Sequence, residues 1–122
     1  MHEQTPYEKL MQRCGPVYYD MDTKPFKDHM EWARYNEAMY VSGERCLGDD
    51  IIGKYRVSTV YMGIDMGFMC SDPLIFETMI FCDEDKNDSL NMWLCRYTYK
   101  QEALMGHQIA IKIAKRGYDA ME

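Results

Sequence analysis

The chain has 122 residues and carries 20 Asp and Glu against 14 Lys and Arg, a formal net charge of −6 at pH 7. This length suits one hydrophobic core, so we expect residues 1–122 to form a single domain. The acidic balance argues against a surface that follows the phosphates of long DNA or RNA, which needs a basic face. No apolar run reaches the roughly 20 residues that span a bilayer, so we expect no membrane partner.

The N-terminus lacks the basic and apolar segments of a secretory signal, which favours a cytoplasmic location. The cysteines are odd in number and form no Cys-x-x-Cys pair: they are Cys14, Cys46, Cys70, Cys82 and Cys95. This spacing favours free thiols over a disulfide framework or a zinc site. We therefore predict no metal and no cofactor.

The first third of the chain predicts two helices and a short strand. The pattern Thr5-Pro6-Tyr7-Glu8 is typical of a capped helix start and predicts a short N-terminal helix through Met11. Residues 17–19 predict a strand that runs into a polar turn. A second helix is predicted over residues 28–39, with Asp28 as its N-cap.

Two apolar runs, residues 55–62 and 73–81, are the strongest structural signal in the chain. Both are rich in β-branched and aromatic residues and predict paired strands. Residues 40–47 predict a strand joined to the first run by a turn at Gly48-Asp49-Asp50, and residues 92–97 predict the last strand. Alternation in the first run places Tyr55, Val57, Thr59 and Tyr61 on one face and Arg56, Ser58, Val60 and Met62 on the other.

The C-terminal part predicts a long helix over residues 99–116, with Thr98 and Gln101 as a capping box and Gly117 as the C-cap. Its apolar stripe is Ala103, Gly106, His107, Ala110, Ile113 and Ala114. The small residues of the stripe would let the helix approach the sheet or a partner helix closely. Together these elements predict an α+β fold, an antiparallel sheet of about four to five strands with a short N-terminal helix, a second helix and a long C-terminal helix.

Glu77 is a carboxylate inside a strand that otherwise has a buried pattern, so it needs a partner, and Arg45, Arg56 and Arg96 are the candidates. It is either one half of a structural ion pair or an acceptor for a ligand's hydroxyls and ring nitrogens. His107 lies on the apolar stripe, which favours a packed, hydrogen-bonded core histidine over a catalytic one.

Asp65 belongs to the loop Gly63-Ile-Asp-Met-Gly67 and has two interpretations. It either joins Glu77 as a carboxylate pair for acid–base work or hydrogen-bonds its own loop backbone. The loop lacks the lysine and the following helix of a phosphate-binding P-loop. The three arginines alternate with aromatic residues that could stack a base, namely Tyr55, Tyr61, Trp93 and Tyr97. Alternation on any exposed sheet face explains this pattern equally well.

Four parts of the chain together resemble a widespread group of small phage and prophage proteins: VSTVYMGID at residues 57–65, PLIFETMIF at residues 73–81, Arg96-Tyr97, and Glu102-Ala103 ahead of Gly106-His107. Many members have a histidine where this chain has Met66. Within this group the chain is similar to the anti-Thoeris sponges, which sequester cyclic ADP-ribose isomers, and in some cases cyclic oligonucleotides, without cleaving them.

The resemblance implies a phage anti-defence protein of the host cytosol that is not an enzyme. It would sequester a cyclic nucleotide signal in pockets between identical subunits, as a dimer or larger homo-oligomer. The predicted ligand-binding residues are Arg45, Arg56, Thr59, Asp65, Phe68, Glu77, Arg96, Tyr97 and His107. Two alternatives remain open: a small nucleotide hydrolase that acts through Asp65, Glu77 and His107, and an inhibitor that binds a host defence protein through its acidic surface.

Overall fold

The computed structural model describes residues 3, 5, 6, 9, 16–67 and 72–119, with side chains up to residue 117. The elements are α1 (His29–Ser42), β1 (Cys46–Ile52), β2 (Tyr55–Tyr61), β3 (Phe76–Cys82), β4 (Trp93–Tyr97) and α2 (Lys100–Asp119). The strands form one antiparallel sheet in the order β1-β2-β3-β4. This is an α+β fold, as predicted. Most of the predicted N-terminal helix lies outside the described residues.

Helix α1 begins where its cap predicts, because the Asp28 carboxylate accepts the backbone N–H of Met30 at 3.0 Å. It ends at Ser42, three residues beyond the predicted end. Gly43 adopts φ 82 and donates its N–H to the Tyr40 carbonyl, which closes the last turn. The strand predicted over residues 40–47 is therefore wrong in its first half, because the glycine C-cap outweighs the strand propensity of Tyr40 and Val41.

Strand β1 contains the residues that the sequence assigned to a turn. Gly48, Asp49 and Asp50 pair with Thr59, Ser58 and Val57 of β2, so the predicted turn is wrong. The reversal occurs instead at Gly53-Lys54, where Gly53 has φ 59. The strand predicted at residues 17–19 is reduced to isolated bridges from Tyr18 to Ile64 and from Tyr19 to Pro25.

Helix α2 covers one face of the sheet and packs against all four strands. The β2 residues on this covered face are the predicted set of Tyr55, Val57, Thr59 and Tyr61, all buried. The helix contributes the small residues Ala103, Ala110 and Ala114, each fully buried, which confirms the predicted stripe. Because the sheet itself covers the stripe, the stripe does not serve as a contact for a partner helix.

The ends of α2 differ in detail from the prediction. The backbone N–H of Tyr99 donates to the Glu102 carboxylate at 3.0 Å, so the side chain that caps the start of the helix belongs to Glu102 and not to Gln101. Gly117 lies inside the helix and is not its C-cap. A Cβ at Gly117 would lie 2.6 Å from the Leu90 side chain, so this glycine permits a close contact.

The opposite face of the sheet, here called the open face, has no described helix packed across it. It carries Asp49 and Ile51 of β1, Arg56, Ser58 and Val60 of β2, Glu77, Met79 and Phe81 of β3, and Leu94 and Arg96 of β4. Within the described parts of the chain, no helix is both long and apolar enough to cross a membrane.

Buried tyrosines should make the fold sensitive to alkali. Burial raises the pKa of Tyr97 to about 12, and it also raises the pKa of Tyr61 above its usual range. An unfolded tyrosine has a pKa near 10, so the buried tyrosines ionise less readily in the folded state than in the unfolded state. Their contribution to the free energy of unfolding is therefore fully present below pH 10 and is lost as the pH rises towards 12. We expect phenolate absorbance from these residues to rise only together with loss of circular dichroism. Ionisation of all ten tyrosines near pH 10 in a folded protein would contradict this.

Candidate functional site

A chain of hydrogen bonds runs through the covered face of the sheet and is centred on His107. Its Nε2 lies 2.6 Å from the Asp50 carboxylate, and its Nδ1 lies 2.7 Å from the Thr59 hydroxyl. Thr59 in turn shares a hydrogen bond of 2.6 Å with Thr78 on the neighbouring strand. His107 is 3% exposed and both threonines are fully buried, whereas the Asp50 side chain is half exposed.

The order of carboxylate, imidazole and hydroxyl resembles the relay of a hydrolase, but the hydroxyl has no access to a substrate. Thr59 lies in the middle of a central strand, under α2, and its oxygen already contacts Thr78. A nucleophile must reach the reacting carbonyl or phosphorus atom. The chain of hydrogen bonds therefore fixes α2 on the sheet, which agrees with the interpretation of His107 as a core histidine.

The three residues of the hydrolase alternative lie in different places. Asp65 accepts the backbone N–H groups of Gly67 and Leu74, at 2.8 and 3.0 Å, and thus organises its own loop. Glu77 lies on the open face, and His107 lies beneath the covered face. The structure does not bring these three side chains together.

Two ion pairs lie on the open face. Arg96 donates its Nε to Glu77 at 3.1 Å, so Arg96 is the partner that Glu77 requires. Arg56 binds Asp49 through two parallel hydrogen bonds of 2.9 Å each. This contact holds the pKa of Asp49 below its usual range. Both members of the second pair are about half exposed, so its contribution to stability is small.

A groove of about 310 Å³ lies where the end of α1 meets the open face of β1 and β2. Its lining consists of Tyr40, Gly43, Arg45, Cys46, Asp49, Arg56, Ser58 and Val60. The guanidinium of Arg45 stands over the Tyr40 ring, 5.6 Å from the ring centroid. The Nε of Arg45 is buried and has no hydrogen-bond partner within the described residues.

The groove is locally basic in an acidic chain, because it contains two arginines and one carboxylate. The carboxylate, Asp49, is already bound to Arg56. Arg45 forms no ion pair with any described residue. The groove can therefore bind an anionic group at Arg45, and it can bind one at Arg56 as well if the anion displaces the Asp49 carboxylate.

The predicted site residues separate into several locations. Arg45 and Arg56 share the groove, while Glu77 and Arg96 pair elsewhere on the open face. Thr59 and His107 hydrogen-bond beneath α2, Tyr97 packs there against the core, and Asp65 holds its loop. Phe68 lies outside the described residues.

Sequence reasoning missed several residues that the structure places at these sites. In the groove they are Tyr40, Asp49 and Ser58, and beneath α2 they are Asp50 and Thr78. Strand alternation was the signal available for Ser58, which shares the predicted face of Arg56. For Asp49 and Asp50 the incorrect turn removed that signal, because residues in a turn have no assigned face.

Within the described residues, no group of three His, Cys, Asp or Glu side chains could hold a metal ion. No protein-family model, curated protein or solved structure matches this chain.

Proposed function

We propose that the protein binds a small cyclic nucleotide signal in the groove between α1 and the open face and holds it without cleaving it. The observation that carries this proposal is the convergence of two guanidinium groups and an exposed tyrosine ring in one concave site. The role as a phage anti-defence sponge comes from the resemblance of residues 54–107 to small phage proteins.

Each part of such a ligand finds a matching group in the groove. Arg45 and Arg56 can donate charged hydrogen bonds to phosphate oxygens. Tyr40 is 68% exposed, and its ring offers a flat surface for a base. The volume of about 310 Å³ is at the lower limit for ligand pockets, which suits one base and its phosphates with the remainder lying over the open face.

Sequestration fits the groove better than hydrolysis does. The carboxylate at its rim, Asp49, is a weakened base because Arg56 lowers its pKa. The thiol of Cys46 donates to the Gly48 carbonyl at 3.6 Å, and no described histidine lines the groove to activate it. A ligand bound here would therefore contact the hydrogen-bond donors of the two arginines and the Tyr40 ring, which bind a ligand but do not cleave it.

The proposal predicts a specific dependence on Arg45. Calorimetric titration with cyclic ADP-ribose and with cyclic dinucleotides should show binding to the unaltered protein. Arg45→Ala should weaken it by about tenfold or more, because a hydrogen bond to a charged group contributes about 1.5 to 3 kcal/mol. The matched control is Arg34→Ala, an exposed arginine of α1 outside the groove, which should bind normally.

Arg96→Ala provides the second control. It leaves Glu77 without its partner and should lower the melting temperature while leaving the affinity unchanged. If Arg96→Ala weakens binding and Arg45→Ala does not, the groove is not the site. Absence of binding to every cyclic nucleotide tested would contradict the proposed ligand class.

Asp49→Asn gives a prediction of opposite sign. The substitution removes the carboxylate that occupies Arg56, so a phosphate no longer has to displace it. We expect anionic ligands to bind several-fold more tightly, with little change in stability because the ion pair is half exposed. Weaker binding by Asp49→Asn would mean that the carboxylate itself contacts the ligand.

The fate of the ligand separates a sponge from an enzyme. Protein loaded with a cyclic nucleotide is heated, and the released ligand is identified by mass spectrometry. Intact ligand, in an amount equal to the ligand bound, is expected. Fragments, or turnover at amounts of protein far below those of the ligand, would establish the hydrolase alternative instead.

A further inference from the structure

The outer side of α2, opposite the sheet, carries a regular line of residues here called the outer seam. It consists of Glu102, Met105, Ile109, Lys112 and Arg116, at alternating spacings of three and four residues. The buried residues of α2, which face the sheet, are Ala103, Gly106, His107, Ala110 and Ala114, so the seam points away from the sheet. The two apolar members are strongly exposed, Met105 at 61% and Ile109 at 55%.

The spacing and the exposure together indicate a helix-pairing surface. A repeat of three and four residues keeps side chains on one line of a helix and is the pattern by which two helices pack along each other. On a helix that only covers a sheet, these positions normally carry polar side chains. Here apolar residues occupy the centre of the line and charged residues its ends.

We propose that the outer seam pairs with the outer seam of a second copy of this chain, with the two helices antiparallel. Four of the five seam residues are symmetric about residue 107: Met105 and Ile109 lie two residues on either side, and Glu102 and Lys112 lie five residues on either side. An antiparallel pair centred there places Met105 against Ile109 of the second copy. It also places Glu102 against Lys112 of the second copy, twice over.

The charge order selects this orientation and this partner. A parallel pair would set Glu102 against Glu102 and Lys112 against Lys112, which like-charge repulsion disfavours. Antiparallel packing also opposes the two helix dipoles favourably. Because Glu102, Met105, Ile109 and Lys112 are complementary to the same four residues in reverse order, a second copy satisfies these four positions, and Arg116 lies beyond the paired segment.

The proposed dimer and the proposed ligand site are independent. The groove lies on the open face, whereas the seam lies beyond the opposite side of the sheet. Pairing through the seam therefore leaves both grooves accessible, one in each copy. The dimer would bind two ligands that do not contact each other, whereas the resemblance to the sponges implied pockets between subunits.

Analytical ultracentrifugation of the ligand-free protein tests the dimer. The sedimenting species of the unaltered protein should have twice the monomer mass of 14.5 kDa. Lys112→Glu sets two like charges against each other at both ends of the contact and should raise the dissociation constant tenfold or more. The matched control is Lys115→Glu, which makes the same change of charge on α2 beside the seam and should remain dimeric.

A charge exchange tests the register. Glu102→Lys should also dissociate the dimer, and the double variant Glu102→Lys with Lys112→Glu should restore it. Because Glu102 also caps α2 through Tyr99, circular dichroism must show that the helix is retained, and Lys112→Glu alone carries no such complication. A monomeric unaltered protein, a dimeric Lys112→Glu, or a double variant that stays monomeric would each overturn the proposal. None of these results bears on ligand binding in the groove.

Discussion

Replacement of His107 by alanine should lower the free energy of unfolding by about 2 to 4 kcal/mol, because it combines a buried cavity with broken hydrogen bonds. The ring fills the space between α2 and the sheet, and both of its nitrogens are hydrogen-bonded, to Asp50 and to Thr59. Urea denaturation followed by circular dichroism would measure the loss. The matched control is Gln108→Ala, the exposed neighbour on the same helix, which should leave stability nearly unchanged.

A double-mutant cycle with Thr59→Val tests whether the hydrogen bond itself contributes. Thr59→Val removes the hydroxyl that joins His107 to Thr78 while it preserves the shape of the side chain. Since residues of one hydrogen-bond network couple, the double variant should be destabilised by less than the sum of the single variants. Additive effects would mean that His107 acts only by filling space, and a cost below about 1 kcal/mol would contradict its role at the core.

The sequence predicted the parts of the fold that depend on local periodicity. The buried alternation of β2 and the small-residue stripe of α2 both hold, because each is set by burial on one face of a regular element. The cap at Asp28 also holds, since it depends on neighbouring residues alone. These features need no knowledge of which elements meet in space.

The sequence could not predict where α1 ends and where β1 begins. Tyr40 and Val41 have strand propensity, which the C-cap at Gly43 outweighs. Gly48-Asp49-Asp50 has turn composition, which pairing with β2 outweighs. Gly48 pairs with Thr59 of β2, and its lack of a side chain leaves room for the His107 ring. That contact joins residues 59 positions apart and depends on the packing of α2, so no local pattern reports it.

The candidate site shows the same division between local and distant information. Strand alternation separates Arg56 from Thr59, so these two could never have shared one pocket. The contact between Arg45 and Tyr40 is harder to predict from the sequence, because it requires the chain to turn back at Gly43 after a helix. When the end of α1 is predicted three residues too early, Tyr40 is assigned to a strand, and the predicted site then omits the aromatic ring that lines the groove.

Gly48→Ala should be as damaging as the loss of the histidine itself, about 2 to 4 kcal/mol, because a methyl group would overlap a ring that cannot move freely. An ideal Cβ at Gly48 lies 2.5 to 2.7 Å from three atoms of the His107 ring. To avoid the methyl group, the ring must release Asp50 or Thr59. The matched control is Gly43→Ala, where no described residue other than the chain neighbours of Gly43 has an atom within 4 Å of the new methyl group, so that only φ 82 opposes the substitution. That control should cost about 1 kcal/mol.

Combining Gly48→Ala with His107→Ala distinguishes this overlap from a general weakness of β1. In the double variant the methyl group enters space that the ring has left, so the clash disappears and part of the cavity is filled. We therefore expect the double variant to be no less stable than His107→Ala alone, as measured by urea denaturation. If the losses in the free energy of unfolding from the two substitutions simply add, the alanine at position 48 disturbs the strand itself. The explanation that Gly48 leaves room for the His107 ring would then be wrong.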